Sequence, residues 1–341
     1  MENTDFAKFL TNYLSKYLPG QRNVSENTIK SYRDTFKLFL LFCKNVKNIE
    51  PSKLTMTIIT DSLITTFLDW IEKDRGCGIT TRNQRLAGIH AFIRFVQMES
   101  PENLLVYQKI LHIPVKKGVH KPMNYLSPEA LSAILAEPNI NSRNGRRDLI
   151  LLTLLYDSGA RVQEIIDLRV RDIRIENPAT VNLFGKGRKI RCIPLMTKTK
   201  SMLESYLREQ SLWQRPEELD SPAFFNNRHE KLTRAGVSYI INKYVESAKK
   251  HTDTLLPDKI SPHVFRHSKA MHMLQANINL VYIRDFLGHV NVTTTEIYAK
   301  TDAKAKREAL EKAYVCVTDQ ELPDWTGDKG LMSWLQALCN N

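Results

Sequence analysis

Apolar residues in the first 112 positions recur every three or four, the spacing of helices that bury one face, and no stretch alternates as a strand would. Phe6, Phe9, Leu10, Tyr13, Leu14 and Tyr17 make a first helix, and Ile29, Tyr32, Phe36, Phe39 and Leu40 a second, capped at Ser25. A third follows Thr60-Asp61 with Leu63, Ile64, Phe67, Leu68 and Ile71, and a fourth opens near Thr80-Thr81 and buries Leu86, Ile89, Ile93 and Val96. Its remaining positions, Arg82, Asn83, Gln84, Arg85, His90 and Arg94, form a polar, basic row that suits either solvent or a DNA groove. Helical periodicity then breaks at 113–124, where Pro114, Lys116, Lys117, Gly118, Lys121 and Pro122 read as a basic linker. Such a linker either tracks a phosphate backbone or is merely soluble.

Beyond the linker, Ser127-Pro128 starts a helix, and Asp148 to Tyr156 is a nearly continuous apolar run ending at Asp157-Ser158-Gly159. Between 172 and 195 the period shifts toward two, giving short strands at 172–176, 180–184 and 189–193, the last two joined by Gly185-Lys186-Gly187-Arg188. Helices resume near Lys198, and Ser261-Pro262 opens the one bearing His263 and Arg266. The expected fold is mainly α with a small antiparallel sheet, an α+β chain of two domains.

The chemistry lies at His263-Val264-Phe265-Arg266, Leu287-Gly288-His289 and Tyr298, nine residues beyond His289. An imidazole and a guanidinium at i, i+3 share a helix face, so one anion could touch both. Upstream, Arg161 opens a helix with Glu164 at i+3, either as its structural ion-pair partner or as the group that also holds the guanidinium for catalysis. Lys186 sits at a hairpin tip, with Arg188 and Lys189 as substitutes that position alone does not exclude. Together these groups read as a site that holds a phosphate diester and attacks it with a phenol. His263 and His267 stand at the i, i+4 spacing of zinc proteases, but Val264 occupies the place of the required glutamate, so no metal ligands are expected. His267 and His272 are expected in packing or polar-network roles.

In this order the residues resemble the tyrosine recombinases: Arg161, Lys186, His263, Arg266, His289 and Tyr298 fall on that family's Arg, Lys, His-x-x-Arg, His or Trp, and Tyr. The resemblance favours Lys186 over its neighbours. It implies a helical, SAM-like core-binding domain at 1–112, a linker at 113–124, a catalytic domain at 125–314 and a tail at 315–341. It also implies DNA contacts from the fourth helix, the linker and the hairpin tip, for which Arg82, Arg85, Lys116, Lys117 and Arg188 are candidates. Tyr298 would attack the scissile phosphorus to give a 3′-phosphotyrosine, with Arg161 and Arg266 on the non-bridging oxygens and His289 beside them. His263 is the expected acceptor of the phenol proton and Lys186 the donor to the leaving oxygen, and no cofactor is required. The implied activity is site-specific recombination, with integration or excision of a mobile element expected first and dimer resolution or inversion as alternatives. Type IB topoisomerase activity and a non-catalytic DNA-binding regulator are the other classes. The spacing of Leu287-Gly288-His289 disfavours the first, and the complete residue set disfavours the second.

With 49 Lys and Arg against 37 Asp and Glu, a net charge of +12 suits a polyanionic partner and equally a merely basic protein. Double-stranded DNA sites and a homotetramer on DNA are the expected partners, with accessory DNA-bending or directionality proteins as further candidates. Five scattered cysteines without a CxxC pair read as reduced thiols. No apolar run has the length of a membrane span, so a cytoplasmic, nucleoid-associated protein is expected. No signal pattern or arm-binding domain is expected ahead of the helical module. Residues 302–313 resemble the helix that docks on a neighbouring protomer, and Leu331, Trp334, Leu335 and Leu338 define a last amphipathic segment that packs in cis or in trans.

Overall fold

The computed structural model describes residues 4–118, 123–185, 189–213, 215–252, 256–289, 295, 296, 298 and 329–338. The chain divides into two compact units, one from Met1 to Lys121 and the other from Pro122 to Asn341.

The first unit is helical: α1 Asp5–Asn12, α2 Glu26–Lys47, α3 Asp61–Lys73, α4 Ile79–Glu99 and α5 Leu104–Leu111. The chain leaves α1 through a wider π-type turn over Tyr13–Gln21, which contains Pro19. Side-chain oxygens of Thr4, Ser25 and Thr60 accept the amide protons of Ala7, Thr28 and Leu63, satisfying donors that helix starts leave open. The core is aromatic, with Phe36 edge-on to Phe92 at 4.9 Å and Phe39 edge-on to Phe67 at 5.2 Å. Helix α5 falls outside the four read from periodicity. It buries only Tyr107 and Ile110 and leaves Leu104 and Leu105 exposed, so its apolar residues do not trace a single face.

Part of the basic row on α4 turns inward, although Gln84 and Arg94 stay exposed. Arg82 is 4% exposed and donates to the Pro114 carbonyl at 3.0 Å. Arg85 reaches the Ser31 carbonyl and the Thr35 hydroxyl of α2, both at 3.2 Å, and buried His90 meets the Ile110 carbonyl at 3.0 Å. These groups tie α4 to its neighbours, so Arg82 in particular is not placed to touch DNA. The same interactions pin the start of the expected linker, since Asn83 donates to the Lys116 carbonyl at 2.8 Å and Lys116 pairs with Glu72 at 2.6 Å. Lys117 is exposed.

The second unit contains α6 Pro128–Ala136, α7 Arg143–Asp157, α8 Val162–Ile166, α9 Thr197–Glu209, α10 Arg234–His251, α11 Pro262–Gln275 and α12 Leu280–Leu287. Strands β1 Ile173–Arg174, β2 Thr180–Phe184 and β3 Ile190–Pro194 form an antiparallel sheet in the order β1-β2-β3. Ser127 caps α6 with Pro128 in its first turn, while Ser261 precedes α11 without a side-chain cap bond. Leu151, Leu152, Leu154 and Leu155 carry α7 through the middle of the core, which is why that segment reads as nearly continuous apolar sequence. Alternation places Val181 and Leu183 of β2 on the inner face opposite Ile193 and Arg191 of β3. A final helix, Lys329–Leu338, exposes Trp334, Leu335 and Leu338.

No helix among the described residues is long and apolar enough to cross a membrane. Cys43, Cys77 and Cys192 are free thiols, whereas Cys316 and Cys339 lie outside the described residues, as do 302–313.

Candidate active site

Gly159 carries the chain from α7 to α8 at φ +54°, a conformation costly for any residue with a side chain. A Cβ there would also stand 2.9 Å from Leu287. This turn delivers Arg161 as the residue before α8. Its amide donates to Glu164 Oε2 at 2.9 Å and its guanidinium to Glu164 Oε1 at 2.7 Å. Glu164 is buried, 4% exposed, and also accepts from Arg191 at 2.5 Å. One carboxylate therefore holds two guanidiniums, satisfying both lone-pair faces of a charge that burial would otherwise make costly.

Arg191 comes from the inner face of β3, where alternation would place an apolar residue. Its stem lies against Gly288, which ends α12 at φ +65°; a Cβ on Gly288 would meet Arg191 Cδ at 2.4 Å. The turn Phe286-Leu287-Gly288 is then gripped by three arginines. Arg191 donates to the Phe286 carbonyl, Arg266 to that of Leu287 at 2.5 Å, and Arg161 to that of Gly288 at 3.5 Å. Last-turn carbonyls lack helical partners and lie at the negative end of the helix dipole, so cations suit them. Arg266, 3% exposed, also donates to the Gly159 carbonyl at 2.6 Å and so joins the two glycine turns.

Behind the turn lies Tyr298, 1% exposed, packed with Ala270, Met271, Ile283 and Leu287. The ring of His289 stacks near it at 6.4 Å and 13°, while His289 Nδ1 contacts the Thr295 hydroxyl at 3.0 Å. The imidazole that meets the phenol is His267, whose Nδ1 lies 3.0 Å from Tyr298 Oη. His263, the expected proton acceptor, occupies the exposed first turn of α11, with its ring 6.4 Å from that of His267. It lies one helical turn short of the place assigned to it.

Electrostatics follow from three buried or half-buried guanidiniums close to one buried carboxylate, which pairs with Arg161 and Arg191 but not with Arg266. Burial and the neighbouring Arg161 and Arg191 push Arg266 down to about 9, leaving it a cation at neutral pH that lacks a full counter-charge. Burial and nearby positive charge hold His267 and His289 at about 4, and His263 is shifted down for the same reasons. His267 and His289 are therefore neutral at pH 7. Burial raises the Tyr298 phenol above its ordinary range, with Arg266 and Arg161 pulling the other way. The cluster carries more positive than negative charge, and a phosphate diester has the charge and the acceptor oxygens to balance it.

Lys186 and Arg188 lie outside the described residues. Gly185, just before Lys186, is close enough that a Cβ on it would stand 3.3 Å from Glu164 and 3.7 Å from Arg161, so the β2–β3 hairpin begins beside the arginines. Among the described residues no three His, Cys, Asp or Glu side chains come together as metal ligands.

Periodicity and motif reading missed Arg191 and the contact of His267. The first was signalled: in Ile190-Arg191-Cys192-Ile193, an inward Ile193 forces Arg191 inward. The second depends on where the chain returns after α12, which spacing does not encode.

A small helical unit precedes an α+β unit whose arginines converge on a buried tyrosine, the architecture of enzymes that break and rejoin DNA. Residues 124–305 match the phage integrase family, and residues 10–100 match its N-terminal SAM-like domain. The chain is 34% identical to a putative integrase/recombinase, y4rC, of Sinorhizobium fredii over 91% of its own length and 92% of that protein's. It is 27% identical to tyrosine recombinase XerC of Thermodesulfovibrio yellowstonii over 94% of its own length and all of that protein's. Among solved structures, the XerH site-specific recombinase bound to a palindromic difH substrate, in a post-cleavage complex, superposes with a TM-score of 0.68. That match has 22% identity and covers 88% of this chain and 84% of that one, a likeness of fold. The chain belongs to the phage integrase family of tyrosine recombinases, enzymes of site-specific DNA recombination.

Proposed function

We propose that Tyr298 is the nucleophile and that recombination proceeds through a 3′-phosphotyrosine. The observation that carries this reading is the buried Tyr298 phenol near three guanidiniums, of which Arg161 and Arg191 share the Glu164 carboxylate and Arg266 is held by backbone carbonyls. Arg161 and Arg266 grip the non-bridging oxygens of the scissile phosphate more strongly as charge grows in the transition state, and His289 adds a hydrogen bond. His263, at the exposed start of α11, faces the incoming backbone. Lys186 protonates the leaving 5′-oxygen, a step that matters because an alkoxide leaves poorly. Burial of the phenol excludes water, which favours strand transfer over hydrolysis. The phosphotyrosine keeps the energy of the broken bond, so a 5′-hydroxyl from a second duplex reseals it without ATP.

The partner is double-stranded DNA, and four protomers act on two duplexes. The exposed Trp334, Leu335 and Leu338 of the last helix dock on a neighbouring protomer. Deleting residues 323–341 then weakens DNA-dependent tetramer formation and spares single-site binding; unchanged assembly would sink this part. Similarity to a putative integrase/recombinase supports integration or excision of a mobile element, and the XerC relative supports dimer resolution as the second reading.

The test uses nicked suicide duplexes chosen by binding from a randomised pool, incubated in EDTA and run on denaturing gels. A covalent protein–DNA band that disappears in Tyr298→Phe is the expected result. Cleavage that persists in Tyr298→Phe, or that needs a divalent ion, overturns the assignment.

A further inference from the structure

A nucleophilic phenol must lose its proton, and the only imidazole nitrogen that the described residues place on Tyr298 Oη is His267 Nδ1, at 3.0 Å. Granted that Tyr298 is the nucleophile, we propose that His267 accepts its proton. In that step the Oη–P bond forms, the P–O5′ bond breaks and the phenolic proton moves to His267 Nδ1. The 5′-oxygen leaves with a proton from the leaving-group acid.

Placement supports the proposal. His267 directly follows Arg266 on α11, so the acceptor and the phosphate-gripping guanidinium share one rigid turn. The rings of His267 and Tyr298 lie 5.7 Å apart, and the tyrosine also packs with Ala270, Met271, Ile283 and Leu287 and stacks near the His289 ring. The charged and titratable groups around the pair are His263 and Arg266 on α11, Tyr298 and His289 after α12, and Arg161 before α8. Burial, His263 and Arg266 keep the imidazole unprotonated in the free protein, so it is available as an acceptor. A phosphate seated on Arg266 brings negative charge to the same place, which offsets that cation and makes His267 more basic. Base strength thus rises when the substrate is bound and the proton must move.

The test is single-turnover formation of the covalent adduct on the nicked substrate, in EDTA, from pH 5 to 9. His267→Asn is the deciding variant, because its Oδ1 replaces Nδ1 as a hydrogen-bond acceptor but cannot serve as a base near neutrality. We expect DNA binding within twofold of wild type, adduct formation slowed on the order of 10²-fold, and loss of the acid limb of the wild-type profile. His267→Phe should be at least as slow. An Asn variant with the wild-type rate, or one that is slow but keeps the wild-type acid limb, overturns the proposal, the second result leaving His267 a positioning residue only. Failure of the nucleophile assignment looks different: the adduct survives in Tyr298→Phe whatever stands at position 267.

Discussion

Two histidines of α11, five residues apart, each meet a tyrosine hydroxyl: His267 meets Tyr298 at 3.0 Å, and His272 meets Tyr156 at 2.8 Å. The second pair is closed on itself. His272 Nε2 contacts the Leu126 carbonyl at 2.9 Å, which fixes that nitrogen as the donor and Nδ1 as the acceptor from Tyr156. Lys269 lies over the Tyr156 ring at 4.9 Å and pairs with Asp157, so charge there is balanced. The first pair sits instead beside three guanidiniums with one carboxylate among them. The same two side chains form a brace in one place and, on the proposed reading, reactive groups in the other, and what differs between the two settings is uncompensated charge.

The sharpest way to break this contrast is to remove each hydroxyl in turn. Tyr298→Phe should abolish the covalent adduct while DNA binding stays within about threefold, since a lost hydroxyl removes a nucleophile and no phosphate contact. Retained adduct in that variant would erase the distinction between the pairs.

Next in size is the brace under the reactive pair. Arg191→Met leaves Glu164 buried with one partner and releases the Phe286 carbonyl. A loss of about 3–5 kcal/mol in denaturant unfolding is expected from stranding part of a buried charge network. Removing the surface pair Lys231–Asp167 should cost about 1 kcal/mol or less. Equal losses would mean that the arginine network is not a structural element. Arg161→Lys keeps the charge but loses the fork, and should slow adduct formation by about 10²–10³-fold with little change in stability.

What was legible in the sequence follows from the same physics. Helix α3 buries a regular stripe, α7 reads as a nearly continuous apolar run, and the strands alternate, so the hydrophobic pattern found them. Periodicity failed where a polar group turns inward: Arg82, Arg85 and His90 on α4 occupy positions that look solvated because their partners lie on other elements. Motif order singled out Arg161, Arg266 and Tyr298, which the fold brings together. It could not show that His267 rather than His263 touches the phenol, since that depends on tertiary path. Lys186, found by the same order, lies outside the described residues.

Acid should separate the pairs more gently. An unfolded imidazole takes up a proton near pH 6.5, whereas His267 and His289 resist until about 4. Between those values the unfolded chain binds more protons than the native one, so stability falls as pH drops through that window and levels off below it. Denaturant midpoints measured from pH 7.5 to 4 should show a loss of up to about 3 kcal/mol from each of these groups, reduced where solvent screens the partly exposed His289. Stability that held constant, or rose, toward pH 4 would contradict the cationic surroundings assigned to the reactive pair.

The smallest effect should come from the brace. Tyr156→Phe removes a hydroxyl that donates to His272 and leaves His272 bonded to the Leu126 carbonyl. A cost of about 1 kcal/mol in unfolding is expected, the net worth of one hydrogen bond that leaves an acceptor unmet. Adduct formation should stay within twofold of wild type across pH, because neither Tyr156 nor His272 bonds to Arg161 or Arg266, the arginines proposed to hold the phosphate. A catalytic defect in Tyr156→Phe larger than its stability loss would mean that the two pairs are coupled along α11, and that charge balance alone does not distinguish a brace from a reactive pair.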